Sequence, residues 1–349
     1  MATTVAPATP AREEGERHPA LAFLAGAWSW LFLALLLAFF EVWARAAYGI
    51  SFLVNPFNLQ SIAQSAALPL LLGLGQTFVI IAGGIDLSVG FVMGLSSVVM
   101  ARAMQQLTPV DPALALAAGL LAALSAALAA GLINGTLVSR LRVPPFIGTL
   151  GMYGVARGVG FLAAGGTTVP VNNPYLSVMG NAKVFGVVPV PVVIATVLVL
   201  VMHWTLSQSR FGQYTYAVGG NRTATVRAGI DVRRHTLLLY MLAAACAGVA
   251  GMIYTARFSA GAAQAGEPLL LDSIAAVVIG GASLFGGSGT IVGTVIGALI
   301  IAVIQYGLVF IDVEPFWQFV AVGVVIIVSV LIDQSRRRLA GGRGRVEEA

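Results

Sequence analysis

Leu68-Pro69-Leu70-Leu71-Leu72-Gly73-Leu74-Gly75-Gln76-Thr77-Phe78-Val79-Ile80-Ile81-Ala82-Gly83-Gly84-Ile85-Asp86-Leu87-Ser88-Val89-Gly90 opens as an apolar run and closes on paired glycines and one carboxylate. Extended back to Leu59, the run supplies about 20 mainly apolar residues, enough for one helix to cross the hydrocarbon of a bilayer. Paired glycines end such a helix without a Cβ penalty, and Asp86 stands where its side chain can accept the first free N–H groups of a second helix. The stretch therefore predicts helix, break and helix within lipid.

The remainder of the chain carries the same signature. Of 349 residues, 58% are apolar and only 9% charged, against roughly 25% charged in a soluble domain. With a mean hydropathy of +0.92, there is too little polar surface to cover a core in water. The fold class expected is all-α: a polytopic integral membrane protein of about ten transmembrane helices, near 22–43, 59–82, 87–107, 112–138, 145–165, 187–207, 236–257, 271–286, 290–311 and 315–333. The eighth is short and glycine-broken. A polar N-terminal tail over 1–20, a membrane domain over 21–333 and a basic C-terminal tail over 334–349 complete the organisation. The first apolar run lacks a clear cleavage site and reads as a membrane helix, not a signal peptide.

Charge sign supports this arrangement. An even number of spans puts both termini on one side. If that side is cytoplasmic, the inside segments hold Arg12, Arg17, Arg140, Arg142, Arg210, Arg222, Arg227, Arg233, Arg234, Arg336, Arg337, Arg338, Arg343 and Arg345, 14 of the 19 cations. Asp111, Glu267, Asp312 and Glu314 fall outside, as the positive-inside rule requires. The net charge of +5 is thus a topological signal, and with Lys183 the sole lysine no nucleic-acid surface is expected. The glycosylation sequons at Asn134 and Asn221 fall on the cytoplasmic side and are discounted.

Several chemistries are excluded by what the chain lacks. One cysteine, Cys246, permits no intrachain disulfide, and His18, His203 and His235 are too few and scattered for a metal site. No phosphate-cradling loop is present, since Lys183 lies between Ala182 and Val184. ATP hydrolysis, an intramembrane hydrolase and a resident cofactor are therefore not expected. Ionisable groups within spans are few. Glu41 and Arg45, four residues apart, read as an ion pair on a helix surface. Arg157 falls in the middle of the fifth span and must face a polar interior, a partner or water, either lining a pathway or pairing structurally. Asp86 reads foremost as a cap, with a substrate or ion site and a partner contact as alternatives.

Two glycine breaks share a pattern. Gly83, Gly84, Asp86 and Gly90 mark the first, and Gly280, Gly281 and Gly287 the second; at a shift of 197 residues both read Gly-Gly-x-x-Leu-x-x-Gly. Each joins an inward-going span to an outward-going one, which predicts an internal repeat of helix, break and helix. Ser288 or Thr290 is expected to cap the helix after the second break. Between spans six and seven, Gly219-Gly220-Asn221-Arg222-Thr223-Ala224-Thr225-Val226-Arg227-Ala228-Gly229-Ile230 predicts a short cytoplasmic helix, capped by Asn221 and stopped by Gly229. It is either a knob for a groove on another protein or a connector whose arginines enforce topology.

The blocks 75–90, 219–230 and 272–281, in this order and on these spans, resemble the permease subunits of ribose-type ABC sugar importers. The likeness covers about residues 50–333. It implies an ATP-driven importer in which two permease subunits, as copies or paralogues, form the pathway in the bacterial inner membrane. A periplasmic sugar-binding protein delivers a ribose-like pentose or a hexose, and a separate cytoplasmic ATP-binding subunit carries ATP and Mg. The resemblance implies that Gly219, Gly220, Asn221, Arg222, Ala224, Gly229 and Ile230 form the ATPase-coupling loop.

A sugar pathway calls for neutral donors and acceptors. Gln60, Gln64, Gln76 and Thr77 on span two are candidates, with Arg157, although the same polar groups also serve to glue helices together. The loops 166–186 and 261–272, with Lys183 and Glu267, are the candidate receptor face. The competing reading is a stand-alone proton- or ion-coupled carrier using Asp86 and Arg157.

Overall fold

A computed structural model describes the backbone of residues 19–341 and the side chains of 28–331. Residues 1–18 and 342–349, with Arg12, Arg17, Arg343 and Arg345, lie outside the described residues, as do the side chains of Arg336, Arg337 and Arg338. Among the described residues thirteen helices follow in order: α1 (Pro19–Tyr48), α2 (Pro56–Ile81), α3 (Val89–Leu107), α4 (Pro112–Ser139), α5 (Pro145–Ala164), α6 (Pro174–Asn181), α7 (Val190–Gln208), α8 (Arg210–Gly220), α9 (Arg222–Arg227), α10 (Val232–Phe258), α11 (Glu267–Ile279), α12 (Ile291–Phe310) and α13 (Trp317–Gly341). Two short antiparallel ribbons join the loops. Strand β1 (Val169–Pro170) pairs with β4 (Ala260–Gly261), and β2 (Lys183–Val184) pairs with β3 (Val188–Pro189).

Among the described residues seven helices are long and apolar enough to cross a membrane: α1, α2, α4, α5, α7, α10 and α12. The other three predicted spans are helical but differ. The third is α3, 19 residues long with Arg102 near its end; the tenth keeps a described apolar stretch only over Trp317–Leu331; the eighth is the 13-residue α11. At 1.5 Å per residue, α11 reaches only about 20 Å.

The chain before α11 is not helical: a short strand, then turns. After α10, Ser259 turns in the left-handed region, and the small residues up to Gly266 run antiparallel to α3. Ala262 and Ala263 are buried there, with a Cβ at Gly94 excluded by the Ala263 carbonyl. Non-helical backbone at this depth needs internal partners. Ser97 provides them, donating from Oγ to Ala262 O at 3.2 Å and accepting from Ala262 N at 3.1 Å.

The core follows from which helices carry small residues. α4 and α10 approach through Gly131 against Ala244, Gly135 against Leu237 and Gly248 against Ala127, the close small-residue contact that replaces hydrophobic drive in lipid. α2 is the central helix, 89% buried over its apolar window, whereas α1 is 11% buried and shows its apolar side chains outward. At the end opposite Gly83, Glu41 ties α1 to the next loop: it pairs with Arg45 as predicted and also accepts from Phe52 N at 2.8 Å and Leu53 N at 2.9 Å.

Candidate functional site

α2 and α11 end in the same way. Gly83 N and Gly84 N donate back to Ile80 O and Val79 O; Gly281 N and Ala282 N donate to Val278 O and Val277 O. Both are C-caps closed by a glycine in the left-handed region, Gly83 at φ +80° and Gly281 at φ +90°. The matched caps correspond at a shift of 198 residues, not the 197 of the sequence match. Gly83 therefore corresponds to Gly281, and Gly280 instead packs on Gly293 of α12. The discrepancy arises because the letter pattern aligns pairs of glycines, while only the second of the Gly280–Gly281 pair takes the left-handed conformation.

The two breaks and the loop 219–230 meet. Gly287 N donates to Ile81 O at 2.8 Å, fastening the second break to the end of α2. Gly219, near the end of α8, sits over this bond so closely that a Cβ would collide with the Ile81 carbonyl and approach Gly287 N. Gly220 packs beside Gly287 and Gly83 beside Gly286. Around this junction α8 is fastened on three sides. Phe211 packs on Phe78 of α2, Thr215 Oγ1 lies 3.0 Å from His235 Nε2 of α10, and Tyr216 Oη donates to Gly289 O at 2.7 Å. Burial pushes the Tyr216 phenol above its ordinary value, which keeps it a donor.

α9 projects from α8. Asn221 Oδ1 accepts from Ala224 N at 2.9 Å, and Thr225, buried, donates to Ala217 O at 2.8 Å, so that α9 is pinned to α8. Gly229 turns the chain at φ +80°. Arg222, Ala224, Val226 and Arg227 are exposed and Ile230 is half-buried.

Asp86 is not the cap of α3. Ser88 holds that position without a side-chain cap bond, and Asp86 Oδ1 closes a tight turn by accepting from Ser88 N at 2.9 Å and Ser88 Oγ at 2.6 Å. At 1% exposure Asp86 is out of reach of a partner protein. Gln76 donates to its backbone carbonyl, and Asn134 donates from α4 to Ser88 Oγ at 2.8 Å. The break thus rises alongside α2 into the helix bundle. Thr290, one of the two expected caps, accepts from Gly293 N at 2.9 Å.

Gln76 and Thr77 are wholly buried, Thr77 Oγ1 lying 2.6 Å from Thr294 Oγ1 of α12. Thr77 thus bonds across to α12 and Gln76 to the first break. Gln60 and Gln64 are half-buried, and Gln60 Oε1 accepts from Lys183 Nζ at 2.6 Å. Lys183 lies at that end of α2, but Glu267 does not share its face. It is exposed, yet follows Gly266, which packs against Gly90 at the start of α3. Most of 261–266 is buried, and Asp272 accepts from Gln305 inside the bundle. The segment 261–272 is therefore not an outer loop. Arg157, exposed on α5, lies over the Phe91 ring at 5.4 Å from its centroid. Arg157 and Glu267 thus flank the first turn of α3.

Asn134, Tyr216 and Ser97 bond across these elements without standing out in the sequence. For Asn134 the signal was present, an amide within an Ala- and Gly-rich span; it was spent on a discarded sequon.

A family described as branched-chain amino acid transport system / permease component matches residues 58–330. The ribose import permease protein of Bacillus subtilis is 41% identical over 81% of this chain and 86% of its own length. The fructose import permease protein of Rhizobium meliloti is 37% identical over 82% and 80%, and the D-allose transport system permease protein of Escherichia coli 36% over 79% and 83%. No solved structure matches the chain. The chain therefore belongs to the branched-chain amino acid transport system / permease component family, as a sugar permease of the ribose type and hence a multi-pass, non-enzymatic transport subunit.

Proposed function

We propose that the chain, with a second copy or a paralogue, forms the inner-membrane pathway for a monosaccharide, a ribose-like pentose or a hexose, in an ATP-driven importer. The observation that carries this reading is the glycine junction, where α8 and both helix breaks are in backbone contact. A force applied to exposed α9 has a direct route to α2, α3, α11 and α12, because α9 is bonded to α8 and α8 to the breaks. That is the element a coupling mechanism needs: packed, contiguous and hinged at glycines.

A cytoplasmic ATP-binding subunit, carrying ATP and Mg, docks on α9 around Arg222, Ala224 and Ile230. In this reading both termini lie in the cytoplasm and the chain makes ten crossings, α11 completing its own with the non-helical segment before it. The two matched C-caps support an internal repeat of helix, break and helix. A periplasmic sugar-binding protein docks at the opposite end, where Lys183 is exposed. Arg157 and Glu267, charged and exposed beside the start of α3, line the pathway, which accounts for groups that lipid would not tolerate.

Reconstitution into liposomes tests the reading. Uptake of labelled ribose or a hexose is expected only with the ATP-binding subunit inside, its nucleotide supplied, and the loaded binding protein outside. Uptake by the chain alone, driven by a proton gradient, would replace the importer with a carrier.

A further inference from the structure

Between the α4–α5 turn and the start of α10 lies a groove of about 820 Å³ lined by Ser139, Arg142, Arg222, Asp231 and Arg233. None of the three arginines makes an ion pair among the described residues. The carboxylate in the groove is partly committed, since Asp231 Oδ1 accepts from Arg234 N at 3.0 Å. Ser139 is 3% exposed, and its Oγ has no hydrogen-bond partner among the described residues. A buried hydroxyl without a partner is uncommon in native structures and calls for an explanation.

A second, smaller cavity of about 40 Å³ opens from the same wall, sharing Val138, Pro145 and Arg222 with the groove. Thr236 and Tyr240 line it, both buried and both with hydroxyls that lack partners among the described residues. This inner space suits water, which needs roughly 10–15 Å³ per molecule. The outer groove is far larger and differently equipped. Three guanidinium groups against one carboxylate leave positive charge over; guanidinium forks bind carboxylate and phosphate alike, and the surplus charge favours a multiply charged phosphate over a singly charged carboxylate.

We propose that this groove is a binding site for phosphoryl anions, held by Arg142, Arg222 and Arg233 above the buried Ser139. The chemistry is shared by an anionic phospholipid headgroup and a soluble phosphate monoester. The groove shares Arg222 and Ile230 with the surface proposed above for the ATP-binding subunit, so its test follows binding to the chain and not transport.

The test uses the full chain in lipid nanodiscs and follows its thermal unfolding midpoint. In phosphatidylcholine discs, glycerol 3-phosphate or inorganic phosphate is titrated against acetate at matched ionic strength; separately, phosphatidylglycerol replaces part of the lipid. Stabilisation by phosphate species over acetate assigns the site to soluble esters. Stabilisation by phosphatidylglycerol alone assigns it to headgroups. In either case Arg222→Gln and Arg233→Gln are expected to weaken the response roughly ten-fold or more, as loss of a charge-assisted bond does. Arg142→Gln, on the exposed turn, serves if either fails to fold. No response in both arms, or an unchanged response in Arg142→Gln with Arg233→Gln, overturns the proposal.

Discussion

Gly219 has no room for a side chain, because the Ile81 carbonyl and Gly287 N occupy the place of its Cβ, whereas a Cβ on neighbouring Gly220 would meet nothing within 4 Å. Gly219→Ala is expected to force the Ile81–Gly287 contact apart and cost about 1–3 kcal/mol, as overpacking does, with sugar-stimulated ATP hydrolysis lost in the reconstituted complex. Gly220→Ala should leave both intact; equal behaviour of the two variants would remove the junction from the coupling route. Thr77 and Thr294 offer a second residue-scale test. A double-mutant cycle to Val is expected to give a coupling of about 0.6–1.7 kcal/mol, the range for hydrogen bonds between membrane helices, read from unfolding in detergent. At this scale the sequence disclosed residue types better than roles. That Gly83, Asp86 and Gly287 mattered was visible from their spacing, but not that Asp86 serves Ser88, since a turn and a cap ask for the same carboxylate two residues apart. Gly219 looked like any loop glycine because its neighbour, Ile81, is far away in the chain.

The 259–266 segment shows what element-scale reading cannot reach. Its Ala- and Gly-rich letters have no period, so it reads as an outer loop; what makes non-helical backbone tolerable there lies far away in the chain, Ser97 bonding Ala262 from 165 residues away and β1 pairing with Ala260 and Gly261. The long apolar helices, in contrast, were legible because bilayer thickness fixes their length whatever they pack against. α9 was legible too, since Asn221 and Gly229 signal both ends locally. Its cap yields a graded prediction. Asn221→Ala removes the bond to Ala224 N and is expected to cost roughly 0.5–2 kcal/mol of local helix stability, lowering coupled ATP hydrolysis without affecting insertion. Ala224→Glu leaves the cap in place but sets a bulky charge on the exposed face of α9. Uptake and coupled hydrolysis should both vanish while the protein reaches the membrane normally; normal uptake in this variant would show that the ATP-binding subunit docks elsewhere.

For the molecule as a whole, the deciding feature is charge on an outward face. Arg157 is exposed at the thirteenth position of a 20-residue membrane helix, and Gly151, Gly154 and Gly158 on that helix meet nothing that a Cβ would touch. An arginine facing lipid near the bilayer centre costs at least about 2.5 kcal/mol, and Glu267 beside the same turn of α3 would add its own cost. Both are relieved if this side of the bundle faces water between two permease chains. Cysteine labelling separates the cases with little background, since the one native thiol, Cys246, is buried. Gly158→Cys in the assembled transporter is expected to react with a membrane-impermeant, water-borne maleimide, and to be protected when the pathway is closed by trapping the ATP-binding subunits. Reaction only with a lipid-soluble reagent would place α5 against the bilayer, leave Arg157 to a structural pairing, and move the pathway to another face of the bundle.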